Sequence, residues 1–565
     1  MTLGILLCVL CVVAANAASR RLQMAAPLLL VVIGVAMSLQ PWIAIGTFEV
    51  EPDHILAGVL PLLLFASAVS MPSTSFRRNF EVISGLSVTL VVLTSLTLGL
   101  LFSRVLPGLG WAGGIAIGAV ISPTDAVATS IVKKLGAAPR VVAVLDGEAM
   151  LNDASALVIL RTAVASMGVA SVSIGGAIGW FLLSLLIAAA IGIFVGYATL
   201  FVRRRIEQPT VNTLLSFAVP FIAYQPAEHA GASGLVAVVA AGLVIGMGAP
   251  RFIAPVHRIN ERLNWRTIEM LLEGGLFLLM GLQLVSLLEV ARKNLGLAVG
   301  LSAAALGITL AARTVYVVPM LIGAARRRRK YQAARPKLEA LRHTPTDAAK
   351  QSMAERDNRI VARVQARVRR VLADADYVLT SPLGAREAGL LIWAGMRGAI
   401  TLAAAETLPA TFPHRSLVVL VAFMVASASL ILQGGSLAWV VRMLRFPPRD
   451  EEAETREREV LSAELEAVAH HVLDDPETMA TMEPAMVEMV RSRLVILEQM
   501  TNSAEELQRS TVADQIFDAQ RNHILHARLE GSHSTESLAE ALARVDARQI
   551  GLQLTRRGRI GPDGD

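Results

Sequence analysis

Cysteine is nearly absent from this chain: 565 residues carry two, Cys8 and Cys11, both in one apolar segment. Spaced three apart on a helix they are neighbours. Two thiols exclude a disulfide framework of the secreted kind, and we read them as inert packing or lipid-facing groups. Charge is also scarce. Only 17% of residues are charged against 54% hydrophobic, which excludes an ordinary soluble enzyme of this size. Aromatics are few, and no basic stretch is interleaved with them. The net charge of +6 therefore points away from nucleic acid and toward basic loops on a membrane protein. The His470-His471 pair has no further Cys or acidic ligand at a metal-site spacing and reads as surface.

Apolar sequence is what the chain has in abundance. Crossing about 30 Å of hydrocarbon takes roughly 20 apolar residues. About thirteen runs qualify: 2–18, 25–45, 54–71, 80–103, 111–132, 141–166, 174–201, 211–225, 233–248, 266–288, 295–323, 386–408 and 416–441. The weakest are 211–225 and 233–248, because Pro220 and Pro226 break the pattern. The expected fold class is all-α: a polytopic membrane protein of about thirteen helices with inverted repeats, two interrupted crossing helices and a helical tail.

Loop charges test that count. With the C-terminus inside, the inner loops hold Arg20/Arg21, Arg77/Arg78, Lys133/Lys134/Arg140, Arg203 to Arg205, Arg251/Arg258/Arg262 and the basic segment 324–372. The outer loops hold Glu49/Glu51/Asp53, Arg104, Glu228, Glu289/Arg292/Lys293 and Arg415. Lys and Arg thus alternate with the side almost throughout, as the positive-inside rule requires. Residues 1–18 could instead be a signal peptide ending at Ala15-Asn16-Ala17. No basic residue precedes that run, and Arg20 and Arg21 follow it, so we read it as a retained span.

The organisation expected is a membrane domain over 1–445, with 324–372 as a cytoplasmic basic loop on anionic lipid, and a cytoplasmic helical regulatory tail over 446–565. Within the tail, 450–470, 482–509 and 534–550 show apolar positions at helical spacing among charges.

Three patches place charge inside apolar spans. Ser122-Pro123-Thr124-Asp125 interrupts a glycine-rich run. Pro123 removes a helix donor, so freed carbonyls there must face protein or water. A broken helix beside a carboxylate is how many secondary transporters build a midplane site; equally, Thr124 or Asp125 would cap the second half-helix. The next span carries Glu148, Asn152, Asp153 and Arg161. A carboxylate at bilayer depth costs at least about 2.5–3.5 kcal/mol and by default marks an ion or proton path. The alternative is a hydrogen-bonded cluster that fixes helix packing. In 386–408, Arg397 sits between Gly395 and Gly398, where glycine permits an unwound turn. It needs a carboxylate, and Glu148 is the favoured partner; the alternative is an arginine that snorkels to an interface. Paired interrupted spans in the two halves mark an inverted-repeat transporter. Glu273 and Arg313 are further intramembrane charges, for which a structural ion pair and a transport role weigh equally.

The segments Ser-Pro-Thr-Asp-Ala-Val-Ala (122–128), Gly-Glu-Ala-Met-Leu-Asn-Asp-Ala-Ser-Ala-Leu-Val (147–158) and Trp-Ala-Gly-Met-Arg-Gly-Ala-Ile (393–400) resemble the signatures of the monovalent cation/proton antiporter family, the sodium/proton exchangers, in its prokaryotic branch. The resemblance covers roughly 1–445. It implies a thirteen-helix homodimer in which two crossed, unwound helices form a core beside a dimerisation domain. Asp153 would bind the cation and the proton, with Asp125 and Thr124 lining the site and Asn152 as the neutral neighbour of electroneutral members. Asp153 and Asp125 would hold the transported Na+. Glu148 and Arg397 would form the core ion pair. Two departures stand out: Ala66 follows Leu-Leu-Phe where the family usually carries an acid, and Ala149 replaces a frequent Ser. Two oxygen ligands are therefore missing.

The mechanism read here is competition for one carboxylate, Asp153, between a proton and Na+ (or Li+ or K+). It is one-for-one and electroneutral, runs across the cell membrane in contact with lipid, serves pH and sodium homeostasis, and needs no cofactor or nucleic acid. An intramembrane aspartyl protease using Asp125 and Asp153 would need carboxylates sharing a proton. It lacks a Gly-x-Gly-Asp context and leaves Asn152 and Arg397 without a role. A passive channel or sensor on the same fold is the third reading.

Overall fold

The computed structural model describes residues 2–22, 25–39, 55–125, 127–167, 174–290, 294–342, 371–372, 374–446, 451–474 and 503–557. The expected acidic outer loop at Glu49 to Asp53, Arg292 and Lys293, all of 343–370 and most of 482–509 lie outside them.

Among the described residues the membrane part is helical throughout. It runs α1 (Thr2–Leu22), α2 (Ala26–Ser38), α3 (Leu60–Ser70), α4 (Ser73–Ser84), α5 (Leu90–Val105), α6 (Gly110–Ile121), α7 (Val127–Lys134), α8 (Pro139–Ser166), α9 (Ile174–Arg203), α10 (Pro209–His229), α11 (Gly234–Phe252), α12 (Pro255–Val290), α13 (Leu295–Arg342), α14 (Ala385–Trp393), α15 (Ala399–Glu406), α16 (Arg415–Ser429) and α17 (Gly435–Leu444). Wider π turns at Ile55–Val59, Gly85–Thr89 and Leu430–Gly434 lead into α3 and join α4 to α5 and α16 to α17. As far as they fall among the described residues, the expected apolar runs lie on these helices, on pairs of half-helices or on the π turns that join them. Six helical stretches among the described residues are long and apolar enough to cross a membrane by length and composition.

Two expectations shift in detail. Pro220 and Pro226 do not split their region, because α10 carries both inside one helix. The basic run Arg326 to Lys330 does not open a separate loop either: it continues α13 as far as Arg342, since Arg, Lys, Gln and Ala are all good helix formers.

Small residues let these helices approach closely, as membrane packing requires. Gly118 of α6 lies against the Ser95 backbone carbonyl of α5, where a Cβ would collide. The α1 helix packs on α2 and α12, with Val12 against Gly274 and the Cys11 thiol 3.8 Å from the Met37 sulfur. In the scaffold, Arg203 forms a bidentate pair with Glu261 at 2.8 and 2.9 Å, while Ser216 donates to the same carboxylate at 2.7 Å.

The tail forms α18 (Glu451–Leu473), α19 (Ser503–Glu530) and α20 (Thr535–Arg557) around its own core of Leu461, Phe517, Ile524, Leu538 and Val545. It docks on the membrane part. Asp546 pairs with Arg258 at the start of α12, Arg528 donates to Thr74 at 3.0 Å, Ser75 bonds Thr535 at 3.0 Å, and Arg78 donates to the Gly531 carbonyl at 2.9 Å. All four contacts fall on the side that carries Arg77, Arg78 and Arg258.

Candidate ion site

Two helix interruptions cross at the centre of the membrane part. The first, residues 122–125, separates α6 from α7; the second, residues 395–398, separates α14 from α15. The Asp125 amide donates to the Met396 carbonyl at 2.8 Å, which stitches one unwound segment directly to the other. Gly398 permits the approach, since a Cβ there would run into the Asp125 carboxylate.

The carbonyls left free where α6 ends at the Pro123 interruption are satisfied inside the protein, as an apolar surround demands. The Ile121 carbonyl accepts from Arg397 Nε at 3.2 Å, and the Ser122 carbonyl accepts from Asn152 Nδ2 at 3.4 Å. Asn152 Nδ2 also donates to Thr124 Oγ1 at 3.1 Å. The Asp125 Oδ1 accepts from the Val127 amide at 3.1 Å, capping α7. The capping reading of Asp125 therefore holds alongside its place in the cavity wall. The second interruption hangs from the end of α16 and the π turn that follows it: the Arg397 amide donates to Ser429 Oγ at 2.8 Å, and Gln433 donates to the Trp393 carbonyl at 3.2 Å.

One expected pairing is replaced. Glu148 does not pair with Arg397; both of its oxygens are taken by Arg313 of α13, with Nη2 to Oε2 at 2.7 Å. Arg313 also donates from Nε to the Leu391 carbonyl at 2.7 Å. The guanidinium of Arg397 instead serves backbone, donating to the carbonyls of Ile121 and Gly395. The reason is geometric. Arg397 lies within an unwound turn whose own carbonyls need donors, whereas Arg313 presents its planar fork to a carboxylate in the bidentate form it favours. Arg161 pairs with Glu228 at 2.5 Å rather than with Asp153.

A cavity of about 160 Å³ opens beside the crossing. Its wall includes Thr124, Asp125, Asp146, Ala149, Asp153, Glu269, Glu273 and Gly398, and among the described residues no Lys, Arg or His lines it. Asp153 is 4% exposed, and its Oδ1 has no hydrogen-bond partner among the described residues. A buried oxygen in that state is costly unless something else fills the place. Asp153, Asp125 and Thr124 thus meet at one cavity, while Asn152 turns toward the first interruption and is not among the lining residues. Ala149 is in the wall, so the missing hydroxyl is a loss to the cavity itself. Ala66 is buried and outside the lining.

Sequence reasoning passed over Asp146 and Glu269. A signal existed for each. Asp146 is two turns before Asp153 and shares its helix face, and Glu269 is one turn before Glu273. Asp146 is hydrogen-bonded by Thr129 and faces Lys133, and Ser67 Oγ donates to Glu269 at 3.3 Å.

Known proteins resemble this chain in sequence and in fold. The family model described as the transmembrane sodium/hydrogen exchanger matches residues 5–443. An uncharacterized Na+/H+ exchanger of Escherichia coli is 36% identical over 280 residues, covering 47% of this chain and 50% of that protein. The chain thus spans about half the length of that relative. A similarly described exchanger of Mycobacterium bovis is 29% identical over 450 residues, 77% of this chain and 73% of that one. A low-affinity Na+/H+ antiporter of Synechocystis is 23% identical over 458 residues, covering 78% and 75%. The solved structure of a sodium proton antiporter from Methanocaldococcus jannaschii at pH 8 superposes with a TM-score of 0.55 at 17% identity. It covers 78% of this chain and 99% of that one, a likeness of fold. With a family match that spans both crossed interruptions and nearly the whole membrane part, the chain belongs to the sodium/hydrogen exchanger family.

Proposed function

We propose that this protein exchanges a monovalent cation, Na+ in the first instance, for protons across the cell membrane, with Asp153 as the group both compete for. The observation that carries the reading is the buried Asp153 Oδ1, left without a hydrogen-bond partner in a cavity with no basic residue in its lining. A proton or a cation supplies what the protein withholds. Thr124, Asp125 and the backbone of the unwound segment bring hard oxygens of the kind alkali ions take. The names of the related exchangers and antiporters support the same substrates.

Asn152 beside Asp153 is neutral, so one carboxylate trading one proton for one cation moves no net charge. Exchange is electroneutral on this account and serves pH and sodium homeostasis. Alternating access follows from motion of the crossed-helix core against the scaffold, in a homodimer embedded in lipid with the tail in the cytoplasm. A protease reading fits less well, because the Asp125 Oδ1 is engaged as a helix cap.

The test uses everted vesicles with an imposed pH gradient. Adding Na+ or Li+ should dissipate the gradient, and Asp153→Asn should abolish the response. Normal exchange by that variant would sink the assignment.

A further inference from the structure

We propose that Glu273 is a cation ligand of this site and sets its affinity and selectivity. The inference rests on the reading of the cavity as the exchange site. Five carboxylates line the cavity, and they are not equivalent. Asp125 caps α7, Asp146 is bonded by Thr129 and faces Lys133, and Glu269 accepts from Ser67 and lies near Arg266. Glu273 differs. Neither a hydrogen bond nor an ion pair joins it to another described residue, although it lies within electrostatic reach of Asp125 and Glu269.

A second, independent observation points to a ligand between these groups: the buried Asp153 Oδ1, unpartnered and in the same wall. Asp153 of α8 and Glu273 of α12 line the same small cavity, and each lies within electrostatic reach of Asp125, so a cation bound there relieves the repulsion that Asp125 exerts on both. The placement of Glu273 follows from helix packing. The Ser67–Glu269 bond fixes α3 against α12, and Glu273 lies one turn further along α12. From α3 the cavity wall takes Leu63, Leu64, Ser67 and Ser70, none of them charged. The α3 side therefore brings no charge to the inner part of the site, and α12 supplies it through Glu273. Carboxylate oxygens from two helices, rather than one, match the several hard oxygen donors that an alkali ion requires when it leaves water.

The experiment measures Na+ binding by titration calorimetry on purified full-length protein, alongside KM and kcat for Na+-driven proton flux in proteoliposomes. A hydrogen bond or contact to a charge is worth enough that Glu273→Gln should weaken Na+ binding and raise KM by about tenfold or more. Turnover at saturating Na+ should change far less, the pattern of lost ground-state binding. Glu273→Asp, which keeps the charge but shortens the reach, should recover part of the affinity and shift the Li+/Na+/K+ order. Glu269→Gln should have the smaller effect. Unchanged Na+ binding and KM in Glu273→Gln overturns the proposal, as does loss of turnover at unchanged affinity. If Asp153→Asn binds Na+ like the parent while Glu273→Gln does not, the Asp153 assignment fails and Glu273 stands; the opposite pattern removes Glu273 alone.

Discussion

At residues 122–125 the helix is interrupted by a proline, and the charge it carries is a carboxylate. At 395–398 it is interrupted between two glycines, and the charge is a guanidinium. The two segments lie against each other, yet their charged side chains do different jobs. Asp125 accepts from the amide at the start of α7 and also faces the cavity. Arg397 donates to the Ile121 carbonyl at the end of α6 and to the Gly395 carbonyl beyond the end of α14. Each charge therefore has the sign that complements its helix terminus. Only the negative one lines the cavity. The positive interruption serves the backbone of the crossing, and the negative one faces the cavity.

The largest effect should come from the pair that supports the positive side. Glu148→Gln leaves Arg313 buried without its carboxylate, which typically costs about 3–5 kcal/mol. Thermal unfolding in detergent should show a clear drop, and a variant that melts with the parent would contradict the buried pair. Next, Arg397→Met removes the donors of two buried carbonyls at about 1–3 kcal/mol each. Arg397→Lys should not restore stability, because one ammonium cannot span both acceptors as the fork does. Asp125→Asn sharpens the contrast. Its side-chain oxygen can still cap α7, so stability should hold while exchange falls; a loss of stability equal to that of Arg397→Met would erase the distinction between the two interruptions. Gly398→Ala probes the contact itself, since its Cβ would meet the Asp125 carboxylate. Overpacking of this kind costs about 1–3 kcal/mol, and exchange should suffer more than folding.

The smallest effect lies outside both interruptions. In the tail, partial burial would raise the pKa of Glu464, but hydrogen bonds from His523 and His533 at 3.1 Å outweigh it and leave the carboxyl below the ordinary glutamate value. A lowered folded value means that this stabilisation is present above the unfolded value and is lost as pH falls through the folded one. Hydrogen exchange in α18 should therefore quicken in that acid window in the parent and lose this pH dependence in Glu464→Gln, with the membrane core unaffected.

Much of this was legible in the sequence. Hydrophobic run length, proline and glycine position, and the alternation of loop Arg and Lys placed the helices and both interruptions. Asp153 and Asp125 announced themselves by the cost of a carboxylate in an apolar span. What sequence could not give was the rotation of one helix against another. Glu148 had two intramembrane arginines available, and only the packing of α13 on α14 decides for Arg313. Glu273 looked the same as a structural ion-pair member until its surroundings showed no cation in the cavity wall. Asn152 reads as a site neighbour, but that its amide bonds Thr124 of the cavity wall and the Ser122 carbonyl is set by how α8 packs on the unwound segment. The docking of the tail rests on single contacts such as Asp546 with Arg258, which no periodicity encodes. Its buried His533 escaped notice, while the half-buried His470 and the exposed His471 drew attention.

The central claim is that one proton and one cation compete for Asp153. The direct test is the Na+ affinity of the full-length protein measured by calorimetry across a pH series. Competition at a single carboxylate predicts that on the acid limb affinity falls by about tenfold per pH unit, with one proton released per cation bound, as linkage requires. It also predicts that Asp153→Asn removes this dependence. Na+ affinity independent of pH in the parent, or a pH dependence that survives in Asp153→Asn, would contradict it.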